Sequence, residues 1–397
     1  MADCKPVGSA GLACVLLLVL VTIPMLGAAF ASQPIRIGIS LGVTGQFQSP
    51  SLMQQRALTL WRDEVNARGG IIERPVELVI RDDRSNSAEA QAIYEDFVSS
   101  GTVDLVLAPY SSELTAAVAP IVDRAGIPML APGASADSLW RSGYHSIFGI
   151  LTPASQFTQG MLRLAHAAGL ARIAILYSTD EFSADIANGT RRWAPYLRLK
   201  VVLDAKVGGG AAEFTERLRE ARDAGAELVI IGGHPEQAAD ARQALLDLNW
   251  QPRAFFATIG PALPSWKDKF GPAADLTFAS SVWEPNGSHH FPGSTEFVNA
   301  FKSRFGAEPS YQAASAYAAG EILEAAIKSA RSLDHGALRE ALVSLDTYTV
   351  LGRFAVDRAG MQTKRLDMIV QWQNGRKEIV WPDEIQTAEP VFGSAAE

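Results

Sequence analysis

The chain has 397 residues, 48% of them hydrophobic and 20% charged, with 33 Gly and 21 Pro, a composition that fits a folded globular protein and excludes disordered, collagen-like and disulfide-framed chains. This length predicts two domains, because a single core stops growing well before it. With 43 acidic against 35 basic side chains the net charge is -8, which excludes nucleic acid as a partner gripped through its phosphates.

The first 31 residues read as a secretory signal. Lys5 precedes an apolar stretch from Gly11 to Phe30, and Ala29-Phe30-Ala31 closes it with small residues where a signal peptidase reads. Cleavage after Ala31 would discard Cys4 and Cys14, the two cysteines of the chain, so the mature protein needs no disulfide. An uncleaved anchor would lack the Ala-rich exit, and a lipoprotein at Cys14 would place its cysteine before the main apolar run instead of after it. The expected location is the periplasm.

From Pro34 short β-branched runs alternate with longer amphipathic ones, the pattern of a parallel sheet wound with helices. Strands are predicted at Ile35 to Leu41, Val76 to Arg81, Leu105 to Ala108 and Pro128 to Ala131, with helices at Gln54 to Asn66, Ala88 to Ser99 and Glu113 to Arg124. Gly69-Gly70 and Gly126 stop helices before the next strand. The rhythm restarts after Pro153, with strands at Arg172 to Tyr177, Lys200 to Leu203, Leu228 to Ile231 and Ala254 to Ala257 and helices at 183–193, 212–224 and 235–248. Helices at Ser294 to Phe305 and Ala313 to Ser329 follow, then strands at Arg353 to Val356 and Asp367 to Gln373. The fold class is α/β: two Rossmann-like lobes with a cleft between them. The lobes are expected to cover 33–152 with 283–366 and 153–282 with 367–388, leaving a polar tail at 389–397.

In open α/β sheets ligands sit beyond the carboxyl ends of strands, where helix N-termini offer free N-H groups. Two loops have that character: Pro109-Tyr110-Ser111-Ser112-Glu113, and Pro132-Gly133-Ala134-Ser135-Ala136-Asp137. Their serines either hold a carboxylate together with loop amides or cap their own helices. Catalytic and cofactor motifs are weaker. Gly208-Gly209-Gly210 lacks the Lys-Ser/Thr of a phosphate loop, and His289-His290 are adjacent without ligand spacing around them. No catalytic residue, metal or cofactor is expected.

Thr44-Gly45, Asn66-Ala67-Arg68-Gly69-Gly70, Asp82-Asp83, Ser111-Ser112, Gly133-Ala134-Ser135, Gly232-Gly233, Glu308-Pro309-Ser310 and Tyr317 to Ala326, in this order and spacing, resemble the leucine/isoleucine/valine-binding proteins that feed ABC importers. The resemblance implies a type I periplasmic binding fold, with three hinge crossovers near Pro153, Val282 and Asp367 and closure over a small molecule. It implies ligand-binding roles for Ser112, Gly133, Ala134 and Ser135 in the first lobe, and for Phe182, His234 and Thr258 in the second. Phe182 keeps a ring but not the hydroxyl of the family's tyrosine, and His234 replaces a second tyrosine. Thr258 falls where branched-chain binders carry the acid that meets the ligand's ammonium. Ser85 and Ser111 stand where some members join a disulfide.

The function these readings imply is capture of a small carboxylate-bearing solute, an amino acid or a related or aromatic acid, for an ABC importer permease. The implied protein is a monomer and not an enzyme. The alternative is a periplasmic sensor of the same fold.

Overall fold

The computed structural model describes residues 1–4, 33–208, 210–286, 291–364 and 367–394. Two units separate, Met1–Ser32 and Gln33–Glu397. In the first, the four described residues are exposed and irregular. The rest of the expected signal, with Cys14, lies outside the described residues, as do Gly209 and His289-His290.

The second unit opens with β1 (Ile35–Leu41), α1 (Gln48–Ala67), β2 (Val76–Asp82), α2 (Ser87–Ser100), β3 (Leu105–Leu107), α3 (Ser112–Arg124), β4 (Met129–Ala131), α4 (Ser138–Arg141) and β5 (Ile147–Gly149). These strands pair in parallel in the order β2-β1-β3-β4-β5. Every residue of β1 but Arg36 is buried, as a central strand covered by helices on both faces requires. Asn86 caps α2 by accepting from Ala88 N and Glu89 N, and Gly101 ends it at φ 63°.

The chain then crosses to a second sheet through α5 (Gln159–Ala167), β6 (Arg172–Tyr177), α6 (Glu181–Trp193), β7 (Lys200–Lys206), α7 (Ala211–Asp223), β8 (Leu228–Gly232), α8 (Pro235–Asp247), β9 (Ala254–Ala257), α9 (Ser265–Phe270) and β10 (Thr277–Ser281). It returns to the first lobe for α10 (Ser294–Phe305), α11 (Tyr311–Ala330), α12 (His335–Ser344) and the hairpin β11 (Thr347–Thr349) with β12 (Gly352–Phe354). Helices α10 to α12 share a core with β1 and α1. Their approach is close: a Cβ on Gly320 would stand 2.2 Å from the Trp61 ring, so only glycine lets α11 seat against α1. A last crossing leads to β13 (Met368–Gln373) and β14 (Arg376–Trp381).

The second sheet runs β14-β13-β10-β9-β8-β6-β7; β13 pairs antiparallel with β10, where the sequence pattern predicts a parallel strand, and β14 pairs antiparallel with β13. The tight turn at Asn374-Gly375, with φ of 51° and 72°, sends the chain straight back into β14. Helix α1 begins at Gln48 rather than Gln54 because Pro50 sits in its first turn, where a missing N-H costs no intrahelical bond. The strand predicted at Arg353 to Val356 is β12, paired in the hairpin and not in a sheet. Strands β5, β10, β11 and β14 and helices α4, α5, α9 and α12 lie outside the predicted elements.

Candidate functional site

Both sheets carry the same switch in strand order, between β1 and β3 and between β6 and β8, and the loops beyond those strands face one cavity. It is lined by Tyr110, Ser111, Ser112, Gly133, Ser135, Leu151, Phe157, Phe182, His234, Ile259 and Tyr311. The structure thus brings together Ser112, Gly133, Ser135, Phe182 and His234. Ala134 is fully buried and Thr258 is 1% exposed, and neither lines the cavity.

In the first lobe the two serine-bearing loops are tied to each other. Ser112 Oγ accepts from the backbone N-H groups of Ser135 and Ala136, both at 3.0 Å. The amides predicted to meet a carboxylate are therefore spent on a hydroxyl, whose own proton remains to be donated. Neither serine is a side-chain cap: Ser111 precedes α3 without a capping bond, and Asp137, not Ser135, precedes α4. From behind, Ser315 Oγ of α11 donates to Pro132 O at 2.8 Å. Gly133 is required for proximity, since a Cβ there would lie 2.6 Å from the Tyr110 ring and 2.9 Å from the Gln54 amide nitrogen. Ser85 serves the β1–α1 loop: its hydroxyl accepts from Phe47 N at 3.0 Å and donates to Thr44 O at 2.8 Å.

In the second lobe Phe182 stands in the first turn of α6, where Asp180 caps by accepting from Ser183 N at 3.0 Å and Ser183 Oγ at 2.7 Å. His234 precedes α8, its backbone N-H donating to Gln237 Oε1 at 3.1 Å and its Nε2 lying 3.6 Å from Asp180 Oδ1. Burial pushes the Asp180 carboxyl up, but the bonds and charge of His234 and Ser183 outweigh it and hold the group below the usual carboxylate range. Thr258 Oγ1 donates to Gly233 O at 2.8 Å and accepts from Gly233 N at 3.1 Å. It staples the loop that presents His234 and offers nothing to the cavity.

Rings form a chain around the site: Phe47 with Tyr110 at 5.6 Å and with His234 at 5.5 Å, His234 with Phe182 at 5.4 Å, and Phe182 edge-on to Phe157 at 5.6 Å. Burial raises the Tyr110 hydroxyl to about 12 and Tyr311 further, so both tyrosines are neutral donors. Sequence reasoning missed Tyr110, Leu151, Phe157, Ile259 and Tyr311. Tyr110 was legible, since it shares the selected loop with Ser112; Phe157 and Tyr311 come from a crossover and a helix start that the strand-end rule does not reach.

The lobes also touch beside the cavity. Asp185 of α6, 3% exposed, accepts from Ser138 N at 3.2 Å and from the Arg141 guanidinium. Burial, then the nearby charge of Asp137, raises the Asp185 carboxyl. Asp137 in turn accepts from Ser155 N at 3.0 Å and Ser155 Oγ at 2.6 Å on the first crossover. Among the described residues no group of three or more His, Cys, Asp or Glu is placed to hold a metal, and Gly208 and Gly210 serve the entry to α7.

A family model described as periplasmic binding protein matches residues 34–377. The Leu/Ile/Val-binding protein homolog 7 of Brucella abortus is 24% identical over 91% of this chain and 95% of that protein. Among solved structures, the leucine-binding protein LivK of Thermotoga maritima superposes with a TM-score of 0.80 at 20% identity, covering 87% of this chain and 97% of that one. A solute-binding protein of an ABC transporter from Rhodopseudomonas palustris, in complex with benzoate, gives 0.75 at 20% identity over 91% and 98%.

Proposed function

Because the chain belongs to the periplasmic binding protein family, we propose that it is the solute-binding component of an ABC importer, capturing a small carboxylate-bearing molecule between its lobes and presenting it to a membrane permease. The observation that carries this reading is the cavity whose walls come from the carboxyl-end loops of both sheets. A molecule held there touches both lobes at once and stabilises their closed arrangement over any open one, by as much as it binds the closed form better. That closed surface is what a permease can distinguish. The cavity's walls of rings, aliphatic side chains and hydroxyls suit a single small amino acid or acid.

The comparison proteins support the ligand's chemistry. One is named for leucine and another holds benzoate; a carboxylate on a small apolar body is common to both. In this chain Ser111, Ser112, Ser135 and Tyr110 supply hydroxyl donors for such an anion, while Leu151, Ile259 and the rings take the body. We further assign the lobes to 33–152 with 283–366 and 153–282 with 367–388, the signal to 1–31 with removal in the periplasm, and the working form to a monomer that binds without turning over its ligand.

A thermal-shift screen of the purified protein against small carboxylic acids and their methyl esters tests the reading. Saturating acid is expected to add about 2.7 kcal/mol at a hundredfold excess over Kd, with the ester inert. Esters shifting the transition as much as acids would refute the carboxylate role.

A further inference from the structure

We infer that the ligand is an aryl monocarboxylate: a flat ring bearing one carboxylate and no ammonium group. The inference rests on the carboxylate reading above and narrows it.

The first observation is where the acids are. No Asp or Glu lines the cavity; Glu113 and Glu236 line a separate pocket on the far side of His234, and the buried carboxylates around the cavity are engaged. Asp180 receives Ser183 and faces His234. Asp137 receives Ser155, and Asp185 receives Ser138 N and Arg141. On the crossovers, Glu284 is 2.8 Å from Lys377 Nζ, and Asp367 accepts from Ser280 Oγ at 2.8 Å. Between residues 33 and 394 the positions outside the described residues contain no Asp or Glu. An ammonium desolvated in this cavity would meet hydroxyls and carbonyls but no counter-charge, and an unpaired buried charge is strongly disfavoured.

The second observation is what remains. The polar lining consists mainly of hydroxyls, donors suited to a single anionic group, and Ser111 Oγ is buried without a partner among the described residues. The third is the shape of the walls. Tyr110, Phe157, Phe182, His234 and Tyr311 surround the space, and the edge-on Phe157–Phe182 pair and tilted Phe182–His234 pair are arrangements that a further ring extends by offset or edge contact. An aliphatic body of equal area gains burial but not these ring contacts.

The test is titration calorimetry of the purified protein with benzoate, 3-phenylpropanoate, L-phenylalanine, 4-methylpentanoate, L-leucine and benzamide. Benzoate or 3-phenylpropanoate is expected to bind at least about tenfold tighter than either amino acid, for want of an ammonium partner, and tighter than 4-methylpentanoate. Phenylalanine or leucine matching its deaminated counterpart overturns the missing ammonium. A preference for 4-methylpentanoate over both aryl acids overturns the ring. Benzamide binding as well as benzoate, or no acid binding at all, is a separate outcome: it brings down the carboxylate reading itself and this inference with it.

Discussion

Ser112→Ala separates a ligand contact from a structural bond. The Ser112 hydroxyl is the acceptor for two amides, Ser135 N and Ala136 N, each at 3.0 Å, and these residues are 3% and 1% exposed. Deleting the oxygen leaves two buried N-H groups unpaired at about 1 to 3 kcal/mol each; partial relaxation of the second loop brings the sum to about 2 to 4 kcal/mol. That is a large share of a typical stability of about 5 to 15 kcal/mol. Guanidinium unfolding of the ligand-free protein, followed by the fluorescence of its eight tryptophans, reads this directly. Ser135→Ala leaves both amide bonds in place, so its ligand-free stability is expected to stay within about 0.5 kcal/mol of the parent while carboxylate affinity falls. If Ser112→Ala instead costs the ligand-free protein under about 0.5 kcal/mol, the hydroxyl does not join the two loops.

Two further outcomes follow from the lobes and their packing. Arg141→Ala removes one side of the interlobe clasp on Asp185; the guanidinium is half exposed, so screening limits the loss to about 1 kcal/mol, or about fivefold in ligand affinity by titration, and unchanged affinity would show that the clasp does not aid closure. Glu321 of α11 is pushed by burial to about 7, against the Val350 N-H that it accepts and with the Glu324 charge adding to the rise. Below its usual 4.5 the folded and unfolded chains both hold the proton, so stability through this group is full there. It drains as pH climbs, because the unfolded chain ionises first, and is gone above about 7. The whole gap is worth about 3 kcal/mol, and partial exposure of the residue reduces it to about 1 to 2. Glu321→Gln is therefore expected to match the parent at pH 4 and exceed it at pH 8 in urea unfolding; an equal offset at both pH values would refute the assignment.

Where the sequence was read correctly, the signal was local and repeated. The buried run Ile35 to Leu41 and its counterparts needed no tertiary knowledge, since a strand covered on both faces must be apolar throughout. Strand β10 escaped because Thr277, Ser280 and Ser281 look polar, though all are buried; Ser280 bonds Asp367 and Ser281 bonds the Trp283 backbone. Strand β14 is legible in the sequence, because Asn374-Gly375 is a strong hairpin signal that breaks the alternating parallel pattern.

Composition and periodicity by themselves determined an α/β chain of two lobes, and strand-end logic together with family likeness picked five residues that line one cavity. Only the tertiary structure decided what each hydroxyl does. Ser112 and Thr258 are both small alcohols in loops of the same kind, yet Thr258 is consumed by Gly233 while Ser112 joins two loops and keeps a proton to give. A hydroxyl's role depends on which donors and acceptors lie within 3 Å or so, and those come from residues far apart in the chain. The same holds for charge: sequence counts the acids, but only packing shows that those nearest the cavity already have partners.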